Sequence, residues 1–194
     1  MRIAVFDDMS QCTTSAVEQM LPQVSAQRRE QALRYKHTLG QFCCLKSWLM
    51  LNELSAVCGH HSDFLYNEHG KPYWPDGPFF SISHCQQGIA VAVDDKPIGI
   101  DIEAIRHAEE SLIERVMNDE ERRLIAKAYT NADRVFTRLW TQKEAILKML
   151  GTGIESFEQL QTILSECQNT GISEYPQIQT VEKEKYIYTI ANGK

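Results

Sequence analysis

The sequence predicts an α+β protein made of two similar α/β halves. Short apolar strands and longer helical stretches follow one another as strand, helix, strands. A related order, strand, helices, strands, then follows, with the break near Lys96-Pro97. A chain of 194 residues is long enough for a proper core, as one large domain or two small fused halves. Hydrophobic content of 43% and charged content of 24% are those of an ordinary soluble globular protein. The expected division is an N-terminal half over 1–97 and a C-terminal half over 98–194, although no residue-level repeat links them.

Each element has a local reason. RIAVF at the start alternates as a short strand. Residues from Ala26 to Val57 read as helix, rich in helix formers over Leu45 to Leu54 and stopped by Gly59. EHGKPYWPDGP, Glu68 to Pro78, is dense in Gly and Pro and reads as loop. FFSIS and GIAVAV read as strands separated by HCQQ, DDKP as a turn, and IGIDIE as the next strand. Asn118 with Glu121 three residues on forms a capping-box pattern opening a helix to Ala128. A longer helix is expected from Ala132 to Leu150, ended by Gly151 to Gly153. In the tail, KYIYTIA is the clearest strand.

Composition excludes several classes. No apolar run is long enough to span a bilayer, so no membrane partner is expected. MRIAVFDDMS carries acids where a signal peptide carries bases, which makes a cytoplasmic location the default. The six cysteines, at 12, 43, 44, 58, 85 and 167, form no CxxC pair and no zinc spacing, and read as reduced, mostly buried residues. A formal net charge of -6 argues against nucleic-acid binding. The stretch from Arg28 to Lys46 is nonetheless basic, either as a solvated helix face or as a patch for an anionic ligand.

The chemistry concentrates in three places. In IGIDIE, strand alternation puts Ile98, Ile100 and Ile102 on one face and Asp101 with Glu103 on the other. The pair either lies on a solvated face of an edge strand or holds a hard cation such as magnesium, which would remove the repulsion between the acids. In FTRLWTQKEAILKML, Trp140, Glu144 and Lys148 are spaced i, i+4, i+8 on one helix face. There Glu144 reads as a third carboxylate for the metal and Lys148 as a partner for phosphate, or the two form a plain helical ion pair. Leu139, Ile146 and Leu150 supply the core-facing stripe. In SISHC, Ser83 and His84 at a strand end can both donate to a phosphate. No GxSxG elbow and no glycine-rich phosphate loop are present.

Together GKP (Gly70 to Pro72), FSISH (Phe80 to His84), IGIDIE and LWTQKEAILK (Leu139 to Lys148) resemble the 4'-phosphopantetheinyl transferase superfamily, in its Sfp-type branch. The resemblance runs from about Arg28 to Gly153. It implies two α/β halves related by pseudo-twofold symmetry, with the site in the cleft between them, in a monomer. It implies transfer of the 4'-phosphopantetheine arm of coenzyme A to a serine of an acyl or peptidyl carrier protein, releasing adenosine 3',5'-bisphosphate. By position, Asp101, Glu103 and Glu144 match the magnesium-binding acids, and manganese would suit the same oxygen ligands. Glu144 also matches the general base and Lys148 the lysine beside the diphosphate. Lys71, Ser83 and His84 match coenzyme A phosphate contacts. Arg28 aligns with a basic position near the nucleotide 3'-phosphate, and Glu121 with an acid of the family. Cys43 and Cys44 stand where many relatives carry an arginine and a small hydroxyl residue. Surface arginines 106, 115, 122 and 123 are candidates to face an acidic carrier. Two rival readings are a metal-dependent phosphohydrolase, which has no need of SISH and GKP, and a non-catalytic carrier- or coenzyme-A-binding module, which has no need of all four of Asp101, Glu103, Glu144 and Lys148.

Overall fold

The computed structural model describes residues 1–56, 64–169 and 176–193. The chain order is β1 (Arg2–Phe6), α1 (Thr14–Met20), α2 (Ala26–Leu33), α3 (Thr38–Ala56), β2 (Leu65–Tyr66), β3 (Pro72–Tyr73), β4 (Phe79–Cys85) and β5 (Gly88–Asp94). It continues with β6 (Ile98–Ala104), α4 (Glu110–Val116), α5 (Asp119–Lys127), α6 (Ala132–Leu150), α7 (Phe157–Asn169), β7 (Gln177–Glu182) and β8 (Tyr186–Asn192). The fold is mixed α and β, as expected. Two three-stranded antiparallel sheets have the orders β1-β5-β4 and β6-β8-β7. In each, the strand latest in sequence lies in the middle, and a 19-residue helix (α3 or α6) separates the first strand from the second.

The two sheets meet along β4 and β6 without a backbone ladder between them. The Ile100 N–H donates to Ser81 Oγ at 3.0 Å, and the Ile102 N–H donates to Ser83 Oγ at 3.3 Å. Both strands advance by two residues between these bonds, so they run in the same direction. Two serine hydroxyls thus satisfy buried amides that would otherwise be orphaned. β6 is the end strand of its own sheet, but the solvated face read for it is overturned: β4 covers its free edge and the face that carries Asp101 is buried. Ile98, Ile100 and Ile102 are fully buried with Ala90 and Ala92, and Asp101 is only 2% exposed on the opposite face.

That opposite face is covered by α6. Leu139, Ala145, Ile146 and Met149 of α6 join Val116, Ile125 and Leu160 in the core of the second half. Burying a side chain of this size contributes about 1.5–3 kcal/mol. Leu150, expected on this stripe, is instead 56% exposed, because the helix ends there. Gly151 adopts φ +78 and its N–H closes onto the Leu147 carbonyl at 2.8 Å, a left-handed cap that glycine adopts without strain. At the start of α5 the expected capping box is present, with Asn118 and Glu121 exchanging hydrogen bonds at 2.9 Å.

The single helix expected from Ala26 to Val57 is broken at residues 34–37, and Val57 lies outside the described residues. Tyr35 folds back so that its ring covers Gly40; a Cβ there would stand 2.7 Å from Tyr35 Cδ1. Gln41 Nε2 then donates to the Tyr35 carbonyl at 3.0 Å. The turn lets α2 lie against α3 with Ala32 fully buried. β4 runs on through His84 and Cys85, leaving only Gln86-Gln87 as the hairpin turn, where four residues were expected. Pro72 and Tyr73, read as loop, pair with β2. The helices α1, α4 and α7 were not expected: α1 and α4 have only seven residues each, whereas the 13-residue α7 does carry a helical stripe, with Leu160, Ile163 and Leu164 buried.

Cys43 and Cys44 are buried, Cys12 and Cys85 half-buried, and all four are free thiols. Burial pushes the Cys43 thiol up to about 12 and also raises that of Cys44, so both behave as small apolar groups. Cys58 and the side chain of Cys167 lie outside the described residues. No helix among the described residues is long and apolar enough to cross a membrane.

Candidate active site

The carboxylate of Asp101 points from β6 toward α6, where Lys148 meets it. Lys148 Nζ lies 2.5 Å from Asp101 Oδ1 and 3.0 Å from Ser83 Oγ. Ser83 in turn donates to Asp101 Oδ1 at 2.8 Å. One strand from each sheet and the last turn of α6 therefore converge on a single oxygen. The other oxygen, Asp101 Oδ2, is buried without a hydrogen-bond partner.

Two further carboxylates share this neighbourhood. Burial first, then repulsion from Asp101, holds Glu103 up at about 7, although Lys148, Arg106 and a hydrogen bond from Trp140 pull the other way. Glu144 is also raised, by burial first; Lys148 opposes the rise and Asp101 adds to it. An acid with a raised pKa in a cleft is suited to proton transfer near neutral pH. Trp140, Glu144 and Lys148 are all half-buried along one face of α6, as the i, i+4, i+8 spacing requires.

A cleft of about 260 Å³ opens among the turn before β3, β4 and the end of α6, lined among others by Lys71, Ser81, Glu144, Lys148 and Gly151. Lys71 Nζ donates to the carbonyls of Met149 at 3.2 Å and Ile98 at 3.4 Å. Desolvation pulls its ammonium down to about 8. His84 is exposed at the end of β4, yet protein mass around its ring desolvates the imidazole. With the charges of Lys148 and Arg28 added, its pKa falls below the usual value.

Arg28 and Glu121 are turned elsewhere. The Arg28 guanidinium is buried, donating to the Cys44 carbonyl at 2.6 and 3.0 Å, to Ser47 Oγ at 3.2 Å and to Gln31 Oε1 at 2.9 Å. It also packs over the rings of Trp48 and Phe64. Glu121 closes the α5 capping box and accepts from Lys143 Nζ at 2.7 Å. Lys143 is fully buried and also donates to the carbonyls of Val116 and Leu160, so it ties α6 to α4, α5 and α7. Within the rest of the basic stretch, Arg29 donates to the Leu21 carbonyl, Arg34 pairs with Glu30 at 2.8 Å, and Lys46 lies over the Phe6 ring.

The donor chemistry at Asp101 suits a hard divalent cation. Its Oδ2 is orphaned, and burial keeps Glu103 and Glu144 raised even with Lys148 beside them, a cost that a further cation among the three acids would relieve. Among the described residues no three His, Cys, Asp or Glu side chains converge closely enough to enclose an ion by themselves. The positive group that meets Asp101 here is Lys148.

The sequence model described as the 4'-phosphopantetheinyl transferase superfamily matches residues 97–191, the segment that carries Asp101, Glu103, Glu144 and Lys148. This chain belongs to the 4'-phosphopantetheinyl transferase superfamily. It is similar to a 4'-phosphopantetheinyl transferase of Bacillus subtilis, with 33% identity over 144 residues, covering 71% of this chain and 64% of that protein. A second such transferase, from Bacillus pumilus, is 31% identical over 145 residues, covering 71% and 62%. The 4'-phosphopantetheinyl transferase HetI of Nostoc is 35% identical over 111 residues, covering 53% and 47%. The match thus spans less than two thirds of the length of these phosphopantetheinyl transferases.

Proposed function

We propose that this protein transfers the 4'-phosphopantetheine arm of coenzyme A to a serine of an acyl or peptidyl carrier protein. The observation that carries the reading is the meeting of Lys71, Glu144 and Lys148 around one cleft, with buried Asp101 bound to Lys148. In this reading the carrier serine oxygen bonds to the phosphorus that bears the pantetheine arm. The bond from that phosphorus to the bridging oxygen breaks, and adenosine 3',5'-bisphosphate leaves. Glu144, whose raised pKa suits a base, accepts the serine proton, which a hydroxyl must lose to be an effective nucleophile. Lys148 stabilises the charge that grows on the leaving phosphate.

Asp101, Glu103 and Glu144 would hold magnesium, or manganese, which offsets the charge of the diphosphate. Lys71, Ser83 and His84 would contact coenzyme A phosphates. Arg28 would act near the 3'-phosphate, a role that competes with the four hydrogen bonds its guanidinium already makes. Glu121 would serve this site only indirectly, by holding Lys143 beside Glu144. The halves divide at Pro97, the chain acts as a cytoplasmic monomer, and neither nucleic acid nor membrane is a partner.

Intact mass spectrometry of an apo acyl carrier protein, incubated with this protein, coenzyme A and magnesium, tests the reading. The expected result is a gain of one phosphopantetheine arm that a chelator prevents. Coenzyme A cleaved with the carrier unmodified would replace transfer with hydrolysis.

Lys71 adds a pH signature. Its ammonium titrates near 8, well below an ordinary lysine, so it is charged below that pH and neutral above it. Coenzyme A affinity should therefore fall as pH rises through about 8, and Lys71→Met should bind weakly with no such fall. Calorimetric titration at several pH values reads this directly; an unchanged pH profile in Lys71→Met would remove Lys71 from the phosphate site.

A further inference from the structure

The turn that presents Lys71 is built by Asn67. Asn67 Oδ1 accepts from the backbone N–H of His69 at 3.0 Å and of Lys71 at 2.8 Å. The Asn67 N–H donates to the Lys71 carbonyl at 2.9 Å, and the Gly70 N–H donates to the Asn67 carbonyl at 3.0 Å, with Gly70 at φ +82. One end of the side-chain amide is thereby fully engaged within the turn. The other end, Nδ2, donates across to the Gly151 carbonyl at 2.8 Å. The partners fix the amide orientation, since one end faces only donors and the other a carbonyl.

Gly151 is the left-handed cap of α6, three residues after Lys148. A second observation shows how closely the turn and the helix end fit. A Cβ on Gly151 would stand 3.2 Å from Lys71 Cδ and 3.3 Å from Asn67 Nδ2. Lys71 Nζ adds its bond to the Met149 carbonyl, so a cation also caps the negative end of the helix. The turn lies in the first half and α6 in the second, and both line the same cleft.

We propose that Asn67 is a positioning residue: its amide latches the Lys71 turn onto the end of α6 and so sets how far apart Lys71 and Lys148 stand when they bind the phosphates of coenzyme A. This rests on the transfer reading above. Asn67→Asp keeps the shape and the Oδ1 acceptor but turns a second oxygen against the Gly151 carbonyl. Asn67→Ser is neutral, can still accept within the turn, and is too short to reach Gly151.

The test is calorimetric binding of coenzyme A to the full chain, with KM and kcat for transfer measured alongside. Both variants should weaken coenzyme A binding and raise its KM by about tenfold, the scale of one lost hydrogen bond. In a Lys71→Ala background, Asn67→Ser should add only about twofold or less, because the two act as one unit. A residue that merely stabilises the fold would lower the melting temperature and add its effect independently, leaving the affinity of the folded protein unchanged. Wild-type protein that binds and transfers, with Asn67→Ser binding equally well, would overturn the latch alone. Wild-type protein that does not bind coenzyme A would overturn the transfer reading and the latch with it.

Discussion

Asp101→Asn is expected to abolish carrier modification while leaving the protein folded. The amide is isosteric with the carboxylate, and its Oδ1 can still accept from Ser83, so the junction of β4 and β6 keeps its shape. What is lost is charge: the buried anion that Lys148 meets at 2.5 Å and that the metal would need. Neutralising Asp101 leaves Lys148 without its anion, which costs stability, but the Lys148 side chain is 30% exposed and can turn to water, so the loss stays below what would unfold the chain. Transfer should fall on the order of a thousandfold, which corresponds to about 4 kcal/mol of transition-state stabilisation. Intact mass of the carrier gives the rate, and a thermal melt with and without magnesium gives a readout independent of turnover. Transfer within about threefold of wild type, less than 1 kcal/mol, would remove Asp101 from the chemistry.

Gly99→Ala is expected to have the largest effect on stability. A Cβ at this position would stand 1.9 Å from the Ala145 carbonyl oxygen and 2.4 Å from the Met149 nitrogen. Both are backbone atoms of α6, so no side chain can rotate away; the helix must lift from β6. The lift would open the core formed by Ala145, Ile146 and Met149 and separate Lys148 from Asp101. Overpacking of this kind against rigid backbone should cost about 4 kcal/mol or more. In a chain of this size that lowers the melting temperature by roughly 10 °C. Circular dichroism melts measure it. A melting temperature within about 2 °C of wild type would mean that α6 does not pack this closely on β6.

Much of the arrangement was readable from sequence, for definite reasons. Alternation in IGIDIE fixed which residues share a face, and helical spacing put Trp140, Glu144 and Lys148 together, because both periods are properties of the backbone. The Asn118–Glu121 capping box is equally local. What could not be read was the partner of each charge. Arg28 and Glu121 looked available for a ligand, yet tertiary approach gives them Cys44, Ser47 and Lys143. Lys143 did leave a signal: it falls on the same stripe as Leu139 and Ile146, and a lysine on an apolar stripe must bring a buried partner with it. The break at residues 34–37 left little signal, because it depends on Tyr35 closing over Gly40. Asn67 carries no signal of its role in the sequence, because its tie to Gly151 spans 84 positions.

The contact between β4 and β6 also bears on how such a protein can change. In a backbone ladder every partner is a peptide group, which no point substitution can delete. Here the bonds from β4 to the β6 amides come from the side chains of Ser81 and Ser83. A single codon change can remove or lengthen either of them while each sheet keeps its own ladder intact. The setting of β4 against β6, and with it the position of Ser83 beside Asp101, is thus open to gradual variation by descent without either sheet being rebuilt.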